Sequence, residues 1–437
     1  MLEGFANAGR IPELRRRLLF TLGMLAVYRI VVAIPTPGID SQALAEFFEQ
    51  VNNSMLGMVN LLSGGALEQF SIAALGVMPY ISASIILQLM TVVIPHLERL
   101  SKEGEVGRRK ITQYTRYGTV VLAIIQGFFI SVGLEKLSSP GGAAIVYDPG
   151  WAFRVMTIIT LASGTAFLMW IGEQISERGI GNGISMLIFS GIVASLPSAV
   201  LTTIQFVREG EMGILMLALL GALMVAIVGV IIFVERGQRR IPVQYAKRVV
   251  GRRMYGGQSS HLPLKLNTAG VIPPIFASSL LVFPATIAQF IQHPWAQAAS
   301  GMLSRGGLVY DLIFVALVIF FSYFYTAVTF NTSDVAENMK KFGGFIPGIR
   351  PGPRTAEYID RVLSRITLVG AIYIAAVCVL PTILIAQLNV PFYFGGTALL
   401  IVVGVALDTV AQIETHILTR NYQGFMRKGR LRGRRGT

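Results

Sequence analysis

The sequence predicts an all-α integral membrane protein of ten transmembrane helices, arranged as two inverted five-helix halves. Three observations lead there: long apolar runs free of charge, a lopsided placement of Lys and Arg, and a short internal repeat. Of 437 residues, 53% are hydrophobic and only 14% are charged, with a mean hydropathy of +0.62. Soluble domains carry about 25% charged residues. An uncharged run of about 20 residues crosses a bilayer as a helix, because its backbone must satisfy its own hydrogen bonds in hydrocarbon.

Taken in order, the runs place spans at 18–35, 74–94, 115–134, 153–172, 184–206, 213–234, 269–291, 308–330, 366–388 and 394–417. The first follows Arg10, Arg15, Arg16 and Arg17, as a signal peptide would. It lacks a small-residue cleavage site and ends at Pro35-Thr36-Pro37, so it reads as an uncleaved span. The connection between spans 1 and 2 contains no Lys or Arg and ends in Ser63-Gly64-Gly65-Ala66-Leu67-Glu68-Gln69-Phe70-Ser71. This piece is too short to span and too apolar for an ordinary loop. It reads either as a re-entrant half-helix, which must be buried in protein or line a cavity, or as a helix lying on the membrane surface.

Lys and Arg orient the spans. Of 37 such residues, 32 fall on one face: the N-terminus, the 2/3, 4/5, 6/7 and 8/9 connections, and the C-terminal tail. The other face holds Lys136, Arg154, Arg208 and Arg305, and Arg29 lies within the first span. By the positive-inside rule the basic face is cytoplasmic, with both termini there. The net charge of +14 is therefore concentrated in cytoplasmic connections, where it sets topology and holds anionic headgroups. The 6/7 and 8/9 connections exceed what topology needs, which leaves room for docking an acidic partner.

The repeat lies at the start of spans 2 and 7. Gly76-Val77-Met78-Pro79-Tyr80-Ile81-Ser82-Ala83-Ser84 matches Gly270-Val271-Ile272-Pro273-Pro274-Ile275-Phe276-Ala277-Ser278 at six of nine positions. Each segment opens the second helix of a five-helix half, 1–207 and 208–437. An odd number of spans per half inverts one half against the other, and such folds work at the interface between halves. Proline removes a backbone donor and glycine lowers helix stability, so the Gly-x-x-Pro elements are expected to weaken spans 2 and 7 and make them the moving parts.

The interior offers little covalent or ionic chemistry. Asp408 is the main ionisable group within a span, with Glu173 and Glu414 near helix ends. Coupled transporters keep such groups at mid-membrane for function. The sequence shows no phosphate loop, catalytic triad or metal motif, so neither an enzyme nor a cofactor or metal site is supported. His96, His261, His293 and His416 are scattered, and Cys378 reads as a small buried hydrophobe.

In nearly its whole length the chain resembles the SecY family, the pore subunits of bacterial protein translocases. The residues that carry the likeness are Ser63-Gly-Gly-Ala-Leu through Ile81-Ser-Ala-Ser, Glu105-Val-Gly-Arg-Arg-Lys with Thr115-Arg-Tyr, and Glu177-Arg-Gly-Ile-Gly-Asn-Gly-Ile-Ser. Further pieces are Tyr245-Ala-Lys-Arg with Gly251-Arg-Arg, His261-Leu-Pro-Leu-Lys to Phe283-Pro, Pro347-Gly-Ile-Arg-Pro-Gly and Gly395-Gly-Thr. Any one is weak; their order and placement make the set specific.

The resemblance implies a central pore between the halves, narrowed by an aliphatic ring of Val77, Ile81, Ile188, Ile275 and Ile401. Val77 is one methylene smaller than the isoleucine expected there. Taken singly, each of these is an ordinary helix-packing residue. The resemblance further implies a plug at about 55–71, with Ser63, Gly64, Gly65, Ala66, Leu67, Glu68, Gln69, Phe70 and Ser71 at its end. It makes spans 2 and 7 a lateral gate at which Ser82, Ser279 and Phe283 meet a signal sequence. Lys247, Arg248, Arg252 and Arg253 at the tip of a hairpin-like 6/7 loop, Arg350 in the 8/9 loop and Tyr422 at the start of the tail would dock the ribosome or the SecA ATPase. The implied partners are SecE, SecG, SecA, SecDF, the ribosome, the translocating polypeptide and membrane lipid, in the bacterial cytoplasmic membrane. Two other readings stand beside a gated polypeptide channel: an ion-coupled secondary transporter with inverted repeats, and an insertase or scaffold without a continuous pore.

Overall fold

The computed structural model describes residues 11–51, 60, 63–137, 144–210, 213–245, 248–250, 253–255, 259–290, 307–388 and 395–429. Each expected span has its helix. Spans 1 and 2 are α1 (Pro12–Val32) and α3 (Met78–Val93), with the short helices α2 (Ser41–Val51) before and α4 (Pro95–Lys102) after span 2. Spans 3 to 6 are α5 (Glu105–Leu134), α6 (Trp151–Arg178), α7 (Gly183–Arg208) and α8 (Ile214–Glu235). The 6/7 connection holds β1 (Gln238–Tyr245), β2 (Arg248–Val250), β3 (Arg253–Tyr255) and β4 (Ser259–Lys265). There follow α9 (Ile272–Phe290), α10 (Leu308–Thr329), α11 (Thr332–Lys341), β5 (Gly344–Phe345), α12 (Pro353–Leu388) and α13 (Gly396–Gly429). Among the described residues seven helices are long and apolar enough to cross a membrane, and α3 with α4 makes an eighth if the bent pair counts as one.

Several boundaries differ from the hydropathy reading for identifiable reasons. Span 2 ends where Pro95 forces Ile94 out of the helical region, to φ −97 and ψ 115, and the chain turns by 100° into α4. α12 has 36 residues, or roughly 54 Å of helix, well beyond the ~30 Å hydrocarbon thickness. It starts with Pro353 in its first turn, so the last part of the 8/9 connection is helix rather than loop. α13 likewise runs to Gly429, which puts Tyr422 inside a helix and not at the start of a tail. Charged residues such as Arg361 and Arg420 end a hydropathy signal without ending a helix.

The Gly-x-x-Pro elements are corrected as well. Gly76 and Gly270 both take positive φ, +56 and +65, and each helix starts two residues later. The prolines therefore sit in the first turn, where no intrahelical N–H is needed, and they begin spans 2 and 7 rather than weaken them. The same backbone punctuation at the same offset gives the repeat a structural counterpart.

The chain divides into two compact units. The first comprises Met1–Thr202, Ser279–Arg305 and Val405–Thr437. In it α5 and α6 pack antiparallel, with Gly127 against Ile158 and an ion pair at each end: Arg116 to Glu173 at 2.8 Å and Arg154 to Glu135 at 2.6 Å. Small residues permit backbone contact elsewhere: Gly164 lies on the carbonyl of Ile72, and Gly183 on that of Gly172. A satellite core of Leu14, Ile180 and Ile413 ties α1 to α13, helped by Thr21, whose Oγ1 accepts from the Ile180 amide.

The second unit comprises Thr203–Ser278 and Gly306–Gly404. Here β4, β1 and β5 form a three-stranded antiparallel sheet, so the 8/9 connection adds a strand to the 6/7 hairpin through Gln244↔Phe345 and Tyr245↔Gly344. Its apolar underside joins Ile241, Leu264, Ile346 and Ile359 in one core with Phe330, Val335 and Tyr358. Asn331 caps α11 by accepting from the amides of Ser333 and Asp334. In the membrane portion, α8 buries only Ile231 within the chain, as suits an apolar helix that faces lipid or another subunit.

Candidate functional site

The five aliphatic residues are all buried. Val77, Ile81 and Ile188 lie in the first unit at 6%, 4% and 3% exposure, and Ile275 and Ile401 in the second at 7% and 2%. In the second unit Gly404, one turn beyond Ile401, packs on the side chain of Val271, the repeat counterpart of Val77. A Cβ at Gly404 has no room, so the start of α9 and this turn of α13 approach closely.

Residues 63–71 lie against the corresponding part of the first unit. The expected half-helix does not extend through them: helix is described only to Ser63, and 64–70 are turns. Gly64 and Gly65 both adopt positive φ, +72 and +87, which breaks the helical path. Residues 55–59, 61 and 62 of the expected plug lie outside the described residues. A Cβ at Gly76 would come within 3.3 Å of the Ser63 Cβ, and one at Gly64 within 2.8 Å of the Gly191 Cα. Ser63 thus abuts the residue before Val77, and Gly64 abuts a position one turn past Ile188.

The segment is internally bonded. The Asn60 side chain donates to Glu68 Oε2 and accepts from the Glu68 amide, both at 3.0 Å. The Gly65 amide donates to the Asn60 carbonyl at 2.8 Å and the Ser71 amide to the Ala66 carbonyl at 2.8 Å. Two residues of span 1 that were not singled out for this role reach it: Tyr28 Oη donates to the Ser63 carbonyl at 2.9 Å, and Arg29 Nη1 to the Gly64 carbonyl at 3.0 Å. A cation within a span is a functional candidate by default, and Arg29 carried that signal in the sequence.

At the helices expected to form a gate, Ser279 Oγ donates to Met78 Sδ at 3.7 Å, and both residues lie in the first unit. Ser279 is buried and Ser82 half-buried; Phe283 lies in α9 with its side chain outside the described residues. Asp408 is exposed, and Cys378 is buried.

The basic residues divide similarly. β2 and β3 pair through Arg248↔Tyr255, Val249↔Met254 and Val250↔Arg253, a hairpin within the 6/7 connection. Arg248 and Arg253 are on its strands with side chains outside the described residues, and Lys247 and Arg252 lie outside them altogether. Arg350 is exposed five residues past β5, and its carbonyl accepts from Thr355 Oγ1 at 3.0 Å. The shared sheet therefore joins the 6/7 and 8/9 connections into one framework. Tyr422 is in α13, side chain outside the described residues.

Where α5 ends and α6 begins, the carboxylate of Glu135 accepts from Arg154 and from the Gly150 amide, and the Arg154 guanidinium lies 5.2 Å from the Trp151 ring centroid. The bond from Arg154 holds the Glu135 pKa below the ordinary carboxylate value.

These features define a multi-pass membrane protein with the fold of protein-conducting channels. A solved structure described as a protein conducting channel has a TM-score of 0.65 over 92% of each chain at 16% identity. Sec61 in the canine ribosome-channel complex from the endoplasmic reticulum has a TM-score of 0.61 at 16% identity, over 92% of each chain. The family model SecY matches residues 71–410. The protein translocase subunit SecY of Escherichia coli K12 is 53% identical over 429 residues, 97% of this chain and 96% of the relative. That of Vibrio cholerae is 51% identical over 430 residues, at 97% and 96% coverage. The chain belongs to the SecY family.

Proposed function

We propose that this chain is the pore-forming subunit of a protein-conducting channel. It moves unfolded polypeptides across the bacterial cytoplasmic membrane and releases transmembrane segments sideways between spans 2 and 7. The observation that carries the reading is the seating of Ser63 and Gly64 between Gly76, which precedes Val77, and Gly191, one turn past Ile188. A compact segment packed beside two stretches of buried aliphatic residues is what a plugged constriction requires.

In this reading Val77, Ile81, Ile188, Ile275 and Ile401 form the ring. Aliphatic side chains coordinate no ion and disfavour a continuous water column, so a narrow ring resists leakage. They also make no sequence-specific hydrogen bonds, so any extended chain slides past while they close around it. A signal helix opens the gate by binding the open state better than the closed one, and Ser82, Ser279 and Phe283 face it. The work is physical, and the chain is not an enzyme. The Ser279–Met78 bond is a weak tie of the kind a gate can afford to break.

The halves are 1–207 and 208–437, with both termini cytoplasmic. The joined 6/7 and 8/9 connections support a docking platform in which Lys247, Arg248, Arg252, Arg253 and Arg350, with Tyr422, meet a ribosome or SecA. Arginine suits phosphate and carboxylate because its planar fork bonds bidentately. Relatives were solved as the canine ribosome-channel complex and as yeast Ssh1 bound to the 80S ribosome. SecE, SecG and SecDF complete the assembly. The transporter reading gains no support from the relatives.

The test is to reconstitute the complex and delete residues 63–71. Resting ion conductance in planar bilayers should rise. A tight, silent deletion variant contradicts the plug and the channel reading built on it.

A further inference from the structure

We infer that Tyr28 and Arg29 of span 1 form a releasable latch on the plug, and that the plug pivots about the Pro35–Ser71 bridge. The inference rests on the plug reading above and concerns how the plug is held.

The segment is attached to span 1 at both ends, by two different kinds of bond. At its far end the Thr36 amide donates to the Phe70 carbonyl at 2.9 Å and the Ile72 amide to the Ile34 carbonyl at 3.0 Å, flanking an antiparallel bridge between Pro35 and Ser71. These are main-chain bonds beside close backbone packing, since Gly164 lies on the Ile72 carbonyl. Phe70 holds φ +41, the only positive value outside glycine among the described residues, with its ring fully buried. Such a residue persists only where the surroundings hold it. This end is an anchor.

The near end is held by side chains. The carbonyls of Ser63 and Gly64 accept from Tyr28 Oη and Arg29 Nη1. Tyr28 and Ser63 are each 2% exposed, so the first bond lies in a dry site, while Arg29 is half-buried. Consecutive residues on a helix point in different directions, about 100° apart. The pair therefore grips two successive carbonyls from two sides. Between the ends, the Asn60–Glu68 and Ala66–Ser71 bonds make the segment one body. Breaking two side-chain bonds frees the near end while the main-chain bridge survives, which gives a swing with a fixed pivot and a defined return.

The experiment uses the full reconstituted complex carrying Tyr28→Phe, Arg29→Gln, both together, and Arg29→Lys, which keeps a cationic donor. Deletion of 63–71 serves as the reference for an absent plug. Resting conductance should rise at least tenfold in the double variant, with Arg29→Lys closer to wild type than Arg29→Gln. In a Ser63→Cys background the new thiol should resist maleimide in the otherwise wild-type channel and react in the double variant, while buried Cys378 stays unreactive in both. If the deletion leaks and the double variant stays tight, the latch is refuted and the plug stands. If the deletion itself stays tight, the plug reading fails and takes the latch with it. Reaction at Cys378 as well as position 63 would mean general loosening of the fold, and that also overturns the latch.

Discussion

Gly64→Ala separates backbone strain from contact at the plug, because Gly65→Ala beside it supplies the control. Gly64 holds φ +72, and a Cβ there would stand 2.8 Å from the Gly191 Cα and 2.8 Å from Arg29 Nη1. The arginine end can move; the Gly191 backbone, inside α7, cannot do so cheaply. An L-residue in the left-handed region costs about 1–2 kcal/mol. Forcing extra carbon into a packed site costs about 1–3 kcal/mol more. Gly65 holds φ +87 with nothing within 4 Å of its Cβ, so Gly65→Ala carries the first cost alone. The excess of about 1–3 kcal/mol for Gly64→Ala corresponds to roughly 5–150-fold in the ratio of unseated to seated plug. Resting conductance of the reconstituted complex should therefore rank wild type, Gly65→Ala, Gly64→Ala in increasing order. A Gly64→Ala channel as tight as wild type, or one no leakier than Gly65→Ala, refutes the seating derived from these contacts.

Other outcomes are expected elsewhere in the chain. Reversing the charge of Arg252 and Arg253 together should weaken ribosome binding, and the loss should shrink as salt screens both proteins; identical binding at low and high salt removes the assignment. Polar replacement of Ile81 or Ile275, for instance by Asn, should admit substrates with defective signal sequences in a translocation assay, whereas stricter selection contradicts the ring. Glu135→Gln should lower thermal stability in detergent at neutral pH. The Glu135 pKa is depressed by Arg154, so its contribution is present above the ordinary carboxylate pKa and disappears as pH falls through the lowered folded value. Wild type and variant should therefore converge in acid, and a gap that persists there excludes the ion pair as its cause.

The helices within the bilayer were legible because hydrocarbon imposes one rule on every span. Most of what lay outside the bilayer, the hairpin-like 6/7 connection apart, was not. α2 is an 11-residue helix started by Asp40, whose Oδ1 accepts from the amides of Gln42 and Ala43, and nothing in hydropathy marks it. The charged turns at the ends of α5, α12 and α13 are helical all the same, since charge ends a hydrophobic run without breaking hydrogen bonds. The repeat was legible as letters, but its meaning depended on φ: Gly76 and Gly270 start their helices instead of weakening them. Segment 63–71 stood out by its odd composition, and the resemblance implied its role as a plug; its turn conformation followed from Gly64 and Gly65 and its attachment from Tyr28 and Arg29. Long-range partners of that kind, 35 residues apart, leave no periodic trace. The strand that β5 adds to the 6/7 hairpin escaped notice for the same reason, being only Gly344–Phe345.

The central claim is that a translocating chain passes between aliphatic side chains of spans 2 and 7. The most direct measurement places a photo-crosslinker at Ile81 and, separately, at Ile275, and arrests a polypeptide midway through transport. Both positions should label the arrested chain. Labelling of lipid alone from either one would contradict the account.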